Sequence, residues 1–147
     1  MKTYTSSRKI SAPVNLVFDT VSQITNFSKA IPQIVNVEIL SDQKSGVGTR
    51  FKETRLMNGR EATTELEVTE FVANERIRLV SDAGSTIWDT VFTVQPDGDQ
   101  VELAMVMNAS AYKLRSRIMN VFIKGFVQRA LEDDMDAVKQ YCEQHSN

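Results

Sequence analysis

Cysteine and histidine are almost absent from this chain: Cys142 and His145 are the only ones among its 147 residues. A single thiol cannot build an intramolecular disulfide framework, and it fits a reducing cytoplasm. One thiol and one imidazole cannot supply the nitrogen and sulfur ligands of an ordinary zinc site. His145 lies close to the end of the chain, where a general base would have neither a fixed position nor an orienting partner. Cys142 falls on an apolar helical stripe, where cysteine behaves as a small hydrophobe. With three prolines and six glycines there is no low-complexity tract, repeat or linker. No apolar run approaches the roughly 18 residues of a membrane span. The opening stretch from Met1 to Arg8 lacks the apolar middle of a secretory signal. The net charge of −2 argues against nucleic-acid binding through a basic surface. What these absences leave is one domain over residues 1–147, with 41% hydrophobic and 24% charged residues, long enough to bury a real core.

What is present is organised around the last long stretch. Residues 115–142 read as one amphipathic helix of about seven turns, with Met119, Phe122, Ile123, Phe126, Ala130, Leu131, Met135, Val138 and Cys142 at helical spacing. A stripe this wide needs a large apolar partner. Gly125 in its middle costs about 1 kcal/mol relative to alanine, which implies that another backbone approaches there or that the helix bends. Glu132, Asp133, Asp134 and Asp136 fan around the helix axis. They read as a solvated face, with Arg129–Asp133 and Asp136–Lys139 as surface pairs. Lys113, Arg115, Arg117 and Lys124 form a basic cluster, read as mixed-charge surface; the alternative is a site for an acidic ligand or lipid headgroups.

The partner is predicted from the rest of the chain. Residues 3–11 form a first strand, followed by two short helices over 14–21 and 26–30. Val14, Val17, Phe18 and Val21 hold helical spacing, and Pro13 suits a first helical turn. Beyond Pro32 the period changes to two. Val35, Val37 and Ile39 alternate with polar neighbours, and strands follow over 49–57, 60–71, 76–81, 86–94 and 101–110. Tight turns separate these strands, so they pair antiparallel. Asn58-Gly59 suits a two-residue type I′ hairpin, because both central residues need positive φ.

This order resembles the helix-grip fold of the START and Bet v 1-like superfamily, and within it the bacterial polyketide cyclase/dehydrase-type branch often called SRPBCC. Ile10-Ser11-Ala12-Pro13 followed by Val17-Phe18 is similar to the family's opening I-x-A-P-x-x-x-V-[FW]. Gly46-Val47-Gly48-Thr49-Arg50-Phe51 is similar to its V-G-T-x-[FW] strand start. Val68-Thr69-Glu70-Phe71 with Asn74-Glu75-Arg76-Ile77 resembles its V-x-E-x-x-P-x-x-x-[IL] segment, although Ala73-Asn74 stands where the proline is usual. The resemblance implies an α+β helix-grip fold: a curved antiparallel sheet of about seven strands wrapped around a long C-terminal helix, with two short helices between the first two strands. It implies a hydrophobic cavity between sheet and helix. The family offers no universal catalytic residues, so none are carried over.

Alternation then selects a lining. Thr86, Trp88, Thr90, Phe92 and Val94 share one strand face, as do Leu103, Met105, Met107 and Ala109, and both sets are assigned to the concave side. Phe51 and Met57 share parity with Glu53 and Arg55, so this charged pair either faces the cavity or is carried to solvent by a twist near the hairpin end. The candidate ligand-binding residues are Phe51, Glu53, Arg55, Trp88, Phe92, Met105, Met107, Met119, Phe122 and Phe126. No catalytic residue, metal or cofactor is assigned. On the long helix, residues before Gly125 are expected to serve the ligand, and Ala130, Leu131, Met135 and Val138 to hold the fold.

The favoured function is binding or carriage of a small hydrophobic molecule of lipid, polyketide or aromatic type, without turnover. Neither nucleic acid nor integral membrane association is expected. One alternative is a metal-independent cyclase or dehydratase in which Glu53 and Arg55 move or stabilise a proton. Another is a co-chaperone-like interaction module, with a large exposed apolar patch and a small or absent cavity.

Overall fold

A computed structural model of the protein describes residues 1–146. The chain runs β1 (Lys2–Ile10), α1 (Val14–Ser22), α2 (Ile24–Ala30), β2 (Ile34–Ile39), β3 (Arg50–Met57), β4 (Arg60–Val72), β5 (Arg76–Ala83), β6 (Thr86–Asp97), β7 (Gln100–Ala111) and α3 (Leu114–Gln144). The strands form one seven-stranded antiparallel sheet in the order β1-β7-β6-β5-β4-β3-β2. β1 therefore crosses over to pair with β7, and the two short helices span from one edge of the sheet to the other. This is the helix-grip arrangement expected from the element order. α3 packs against β1 and β7 and against α1 and α2.

Turn chemistry sets the hairpins. Asn58 and Gly59 have φ of 53° and 76° and join Met57 directly to Arg60, as a type I′ turn requires. Gly84 and Ser85, at φ of 62° and 60°, do the same between Ala83 and Thr86. β5 therefore extends two residues past its predicted end at 81, through Asp82 and Ala83.

The concave face is where alternation places it. Phe92, Val94, Leu103, Met105, Met107 and Ala109 are buried together with Ile77, Phe51 and Val68. Two β-bulges break the strict alternation. Between Val68 and Glu70 the register shifts by one, so Val68 and Phe71 both turn inward, and Phe71 meets Phe18 of α1 edge to face at 5.4 Å. Between Ile34 and Asn36 the same device buries Ile34 and carries Val35 to the surface. Val35 thus leaves the face predicted for it, while Val37 and Ile39 keep theirs.

Candidate functional site

Between sheet and α3 lies a cavity of about 290 Å³. This is close to the lower end of small-molecule sites. α1 and α2 contribute Val21, Ser22, Ile24 and Phe27, and β3 contributes Phe51, Glu53, Arg55 and Met57. Leu66, Leu79, Trp88, Phe92, Met105 and Met107 come from the next four strands. α3 closes the space with Ala130, Leu131 and Asp134. Aromatic, aliphatic and thioether groups make most of this wall, so an apolar body would exchange water for close packing there.

The charged pair of β3 faces inward. Arg55 donates from Nε to Glu53 Oε2 at 3.1 Å and from an Nη to Asp134 Oδ1 of α3 at 3.0 Å. The side chains of Arg55, Glu53 and Asp134 are 20%, 12% and 11% exposed. Burial alone would lower the pKa of this guanidinium. The charges of Asp134 and Glu53 and their hydrogen bonds outweigh it and hold the pKa above its ordinary value. Arg55 is therefore a permanent cation. The formal charges of the cluster sum to −1, and three of the five guanidinium N–H groups remain outside these two bonds.

Ser22, Thr64, Ser81, Trp88 and Thr90 bring further polar groups to the cavity wall. The Trp88 indole is satisfied, donating from Nε1 to the Ala83 carbonyl at 3.2 Å. Ser22 borders the cavity where α1 ends, and its Oγ is buried without a hydrogen-bond partner among the described residues.

Of the residues selected from the sequence, Phe51, Glu53, Arg55, Trp88, Phe92, Met105 and Met107 come together around this space. Met119, Phe122 and Phe126 do not line it, and all three are exposed on α3. Phe126 borders a surface cleft beside Asn58 and Arg129. Met119 borders a second cleft, beside Ser116 and Asn120. The expected division of the helix is corrected accordingly. Its cavity-lining residues lie after Gly125; before Gly125, Leu114, Ile118 and Phe122 are exposed, while Ser116 and Asn120 bond the β5–β6 hairpin. Nothing lies within 4 Å of a Cβ built at Gly125, so no other backbone approaches it.

Asp134 was missed. Its sign placed it with a solvated acidic face, yet it lies three residues after Leu131 and four before Val138, on the buried stripe. That spacing was the available signal. Glu132, expected to be solvated, and Asp136, expected to pair with Lys139, instead share one partner. Glu132 and Asp136 bind Arg8 of β1, each at 2.7 Å, and lock the sheet edge to the helix. Among the described residues no group of three or more acidic, histidine or cysteine side chains is placed to hold a metal.

A sheet curled around a terminal helix, with a lined space between them, defines a helix-grip protein. Residues 1–143 match the family described as polyketide cyclase / dehydrase and lipid transport, and the chain belongs to that family. Among solved structures it is similar to TTHA0849 from Thermus thermophilus, at 14% identity and a TM-score of 0.80, covering 99% of this chain and 100% of that one. It is similar to half of the di-domain ARO/CYC StfQ from the steffimycin biosynthetic pathway, at 9% identity and a TM-score of 0.81, covering 97% of this chain and 50% of that one. It also resembles Ara h 8.0201, at 12% identity and a TM-score of 0.72, covering 98% and 99% of the two chains. At such identities the likeness is one of fold. No curated protein matches the chain by sequence.

Proposed function

We propose that this protein binds and carries a small molecule with an apolar body and a neutral polar end. The observation that carries this reading is the Glu53–Arg55–Asp134 cluster set into a mostly apolar cavity wall. Arg55 already serves two carboxylates, so a ligand carboxylate would add a further negative charge in a poorly hydrated space. A hydroxyl or carbonyl takes a guanidinium N–H, or donates to a carboxylate oxygen, without that penalty. Thr64, Ser81 and Thr90 bring hydroxyl groups to the same wall. The bulky Trp88, Phe92 and methionine side chains suit an aromatic body.

Trp88 is the only tryptophan in the chain and borders the cavity, so its fluorescence reports occupancy directly. Titration with 2-naphthol and with 2-naphthoate at pH 8 should show the alcohol binding at least about tenfold more tightly, the equivalent of roughly 1.4 kcal/mol. Equal or tighter binding of the carboxylate overturns the charge argument. If neither ligand changes the signal, and native mass spectrometry of protein purified from its own host shows no retained molecule, the carrier reading fails.

One observation favours an enzymatic reading: a cavity-facing carboxylate, Glu53, held beside a fixed cation in a fold shared with the ARO/CYC StfQ. In that case Glu53 accepts or returns a proton while Arg55 stabilises the developing oxyanion. Chemical turnover of a poly-β-ketone analogue, lost in Glu53→Gln with binding retained, would establish it over carriage.

A further inference from the structure

The outer face of the first half of α3 has no partner in the fold. Leu114, Ile118, Phe122 and Phe126 recur every fourth residue and are 73%, 55%, 80% and 47% exposed. At that spacing they form one row along the helix, with Met119 and Val121 exposed beside them. Such a run of large apolar side chains facing water is costly unless something covers it.

Charge points to the cover. Residues 112–131 contain Lys113, Arg115, Arg117, Lys124 and Arg129 and no acidic residue, in a chain whose net charge is −2. Among the described residues none of the five enters an ion pair. Past Arg129 the helix changes sign, with Glu132, Asp133, Asp134 and Asp136. Apolar groups flanked by unpaired cations, and ending where acids begin, match the layered chemistry of a bilayer surface carrying anionic headgroups.

We infer that the Leu114–Arg129 half of α3 is a docking face for an anionic lipid bilayer. Its apolar row enters the boundary between headgroups and acyl chains, and its cations sit among the phosphates. A second copy of this chain is a poorer cover. Isologous pairing of the two faces would oppose five cations with five. Antiparallel pairing along the helix would set the phenyl rings against Asp133 and Asp136, because the second half has no exposed apolar row to receive them. The face also adjoins the cavity. The cleft bordered by Phe126 and Arg129 shares Arg55, Met57, Ala130 and Asp134 with the cavity wall. A docked protein would hold that side of the cavity against the membrane. Docking itself does not depend on what the cavity holds.

The test is cosedimentation of the full chain with vesicles of phosphatidylcholine alone and of phosphatidylcholine mixed with phosphatidylglycerol. Binding is expected to the mixed vesicles and to weaken at high salt. Ile118→Ala with Phe122→Ala should reduce it at least about tenfold, and Lys124→Glu with Arg129→Glu by a similar factor. All four positions are exposed, so circular dichroism should confirm a native fold for both pairs. The response of Trp88 to 2-naphthol should survive the alanine pair, which separates this face from the cavity. Failure to bind mixed vesicles at low salt overturns the inference, as does equal binding to both vesicle types. Binding that is indifferent to the alanine pair also overturns it. Self-association that the alanine pair abolishes, with no vesicle binding, assigns the face to a second copy instead.

Discussion

The two halves of α3 are one continuous helix held to the protein by opposite means. In the second half Leu131, Met135, Val138 and Cys142 are buried, three of them at 0% exposure, against the sheet and the short helices. In the first half the attachments are polar. Ser116 donates to the Gly84 carbonyl at 2.8 Å, and Asn120 donates to Thr86 Oγ1 at 3.0 Å. Apolar burial contributes stability in proportion to area. Each half-exposed hydrogen bond, by contrast, nets only about 1 kcal/mol because water competes for it. The second half is therefore a structural member. The first is a surface that the second half and a few polar contacts hold in place.

Three measurements would break or sharpen this contrast. The largest effect is expected for Met135→Ala in the second half: a loss of about 3 kcal/mol in denaturant unfolding, from lost transfer and a residual cavity. A loss below about 1 kcal/mol would mean the buried half does not anchor the fold. A smaller effect belongs to the link between Arg8 and the helix. Hydrogen bonds from Arg8 and Ser6 hold the Glu132 carboxyl below its ordinary value. A depressed carboxyl pKa contributes stability that is present above the unfolded value and lost as pH falls through the folded one. The native protein should therefore lose stability below about pH 4.5. In Arg8→Ala the slope there should flatten, with the change kept small by solvent because Glu132 is 37% exposed. The smallest effect is expected for Phe122→Ala, within about 0.5 kcal/mol of the parent in the same unfolding assay. A larger loss would show that the first half is packed after all.

The sheet was legible because alternation is a local property. Phe92 and Val94, and Leu103 through Ala109, could be assigned to one face from spacing alone. The bulges at Val35 and Thr69 were not, since one extra residue changes register without changing composition. Glu53 and Arg55 were found by parity with Phe51. Asp134, 79 residues beyond Arg55, closes the same cluster, but pairing across that distance leaves no mark in a single sequence beyond its place on the stripe. Met119, Phe122 and Phe126 illustrate the converse. Periodicity shows which side chains share a face, not whether the fold supplies anything to cover it.

The sheet order has a temporal meaning. β1 is an edge strand whose neighbour is β7, with Lys2 opposite Ala109 and Ile10 opposite Val101. During synthesis at about 5–20 residues per second, the first strand waits on the order of 5–20 s before its partner exists. The clamp on Arg8 from Glu132 and Asp136 is made later still. Lys2, Arg8 and Lys9 keep that waiting strand charged, which discourages pairing with other nascent chains. Pairing so distant along the chain is a late step, because loop-closure entropy must be overcome before the contacts that reward it form. The first strand made is among the last to be secured.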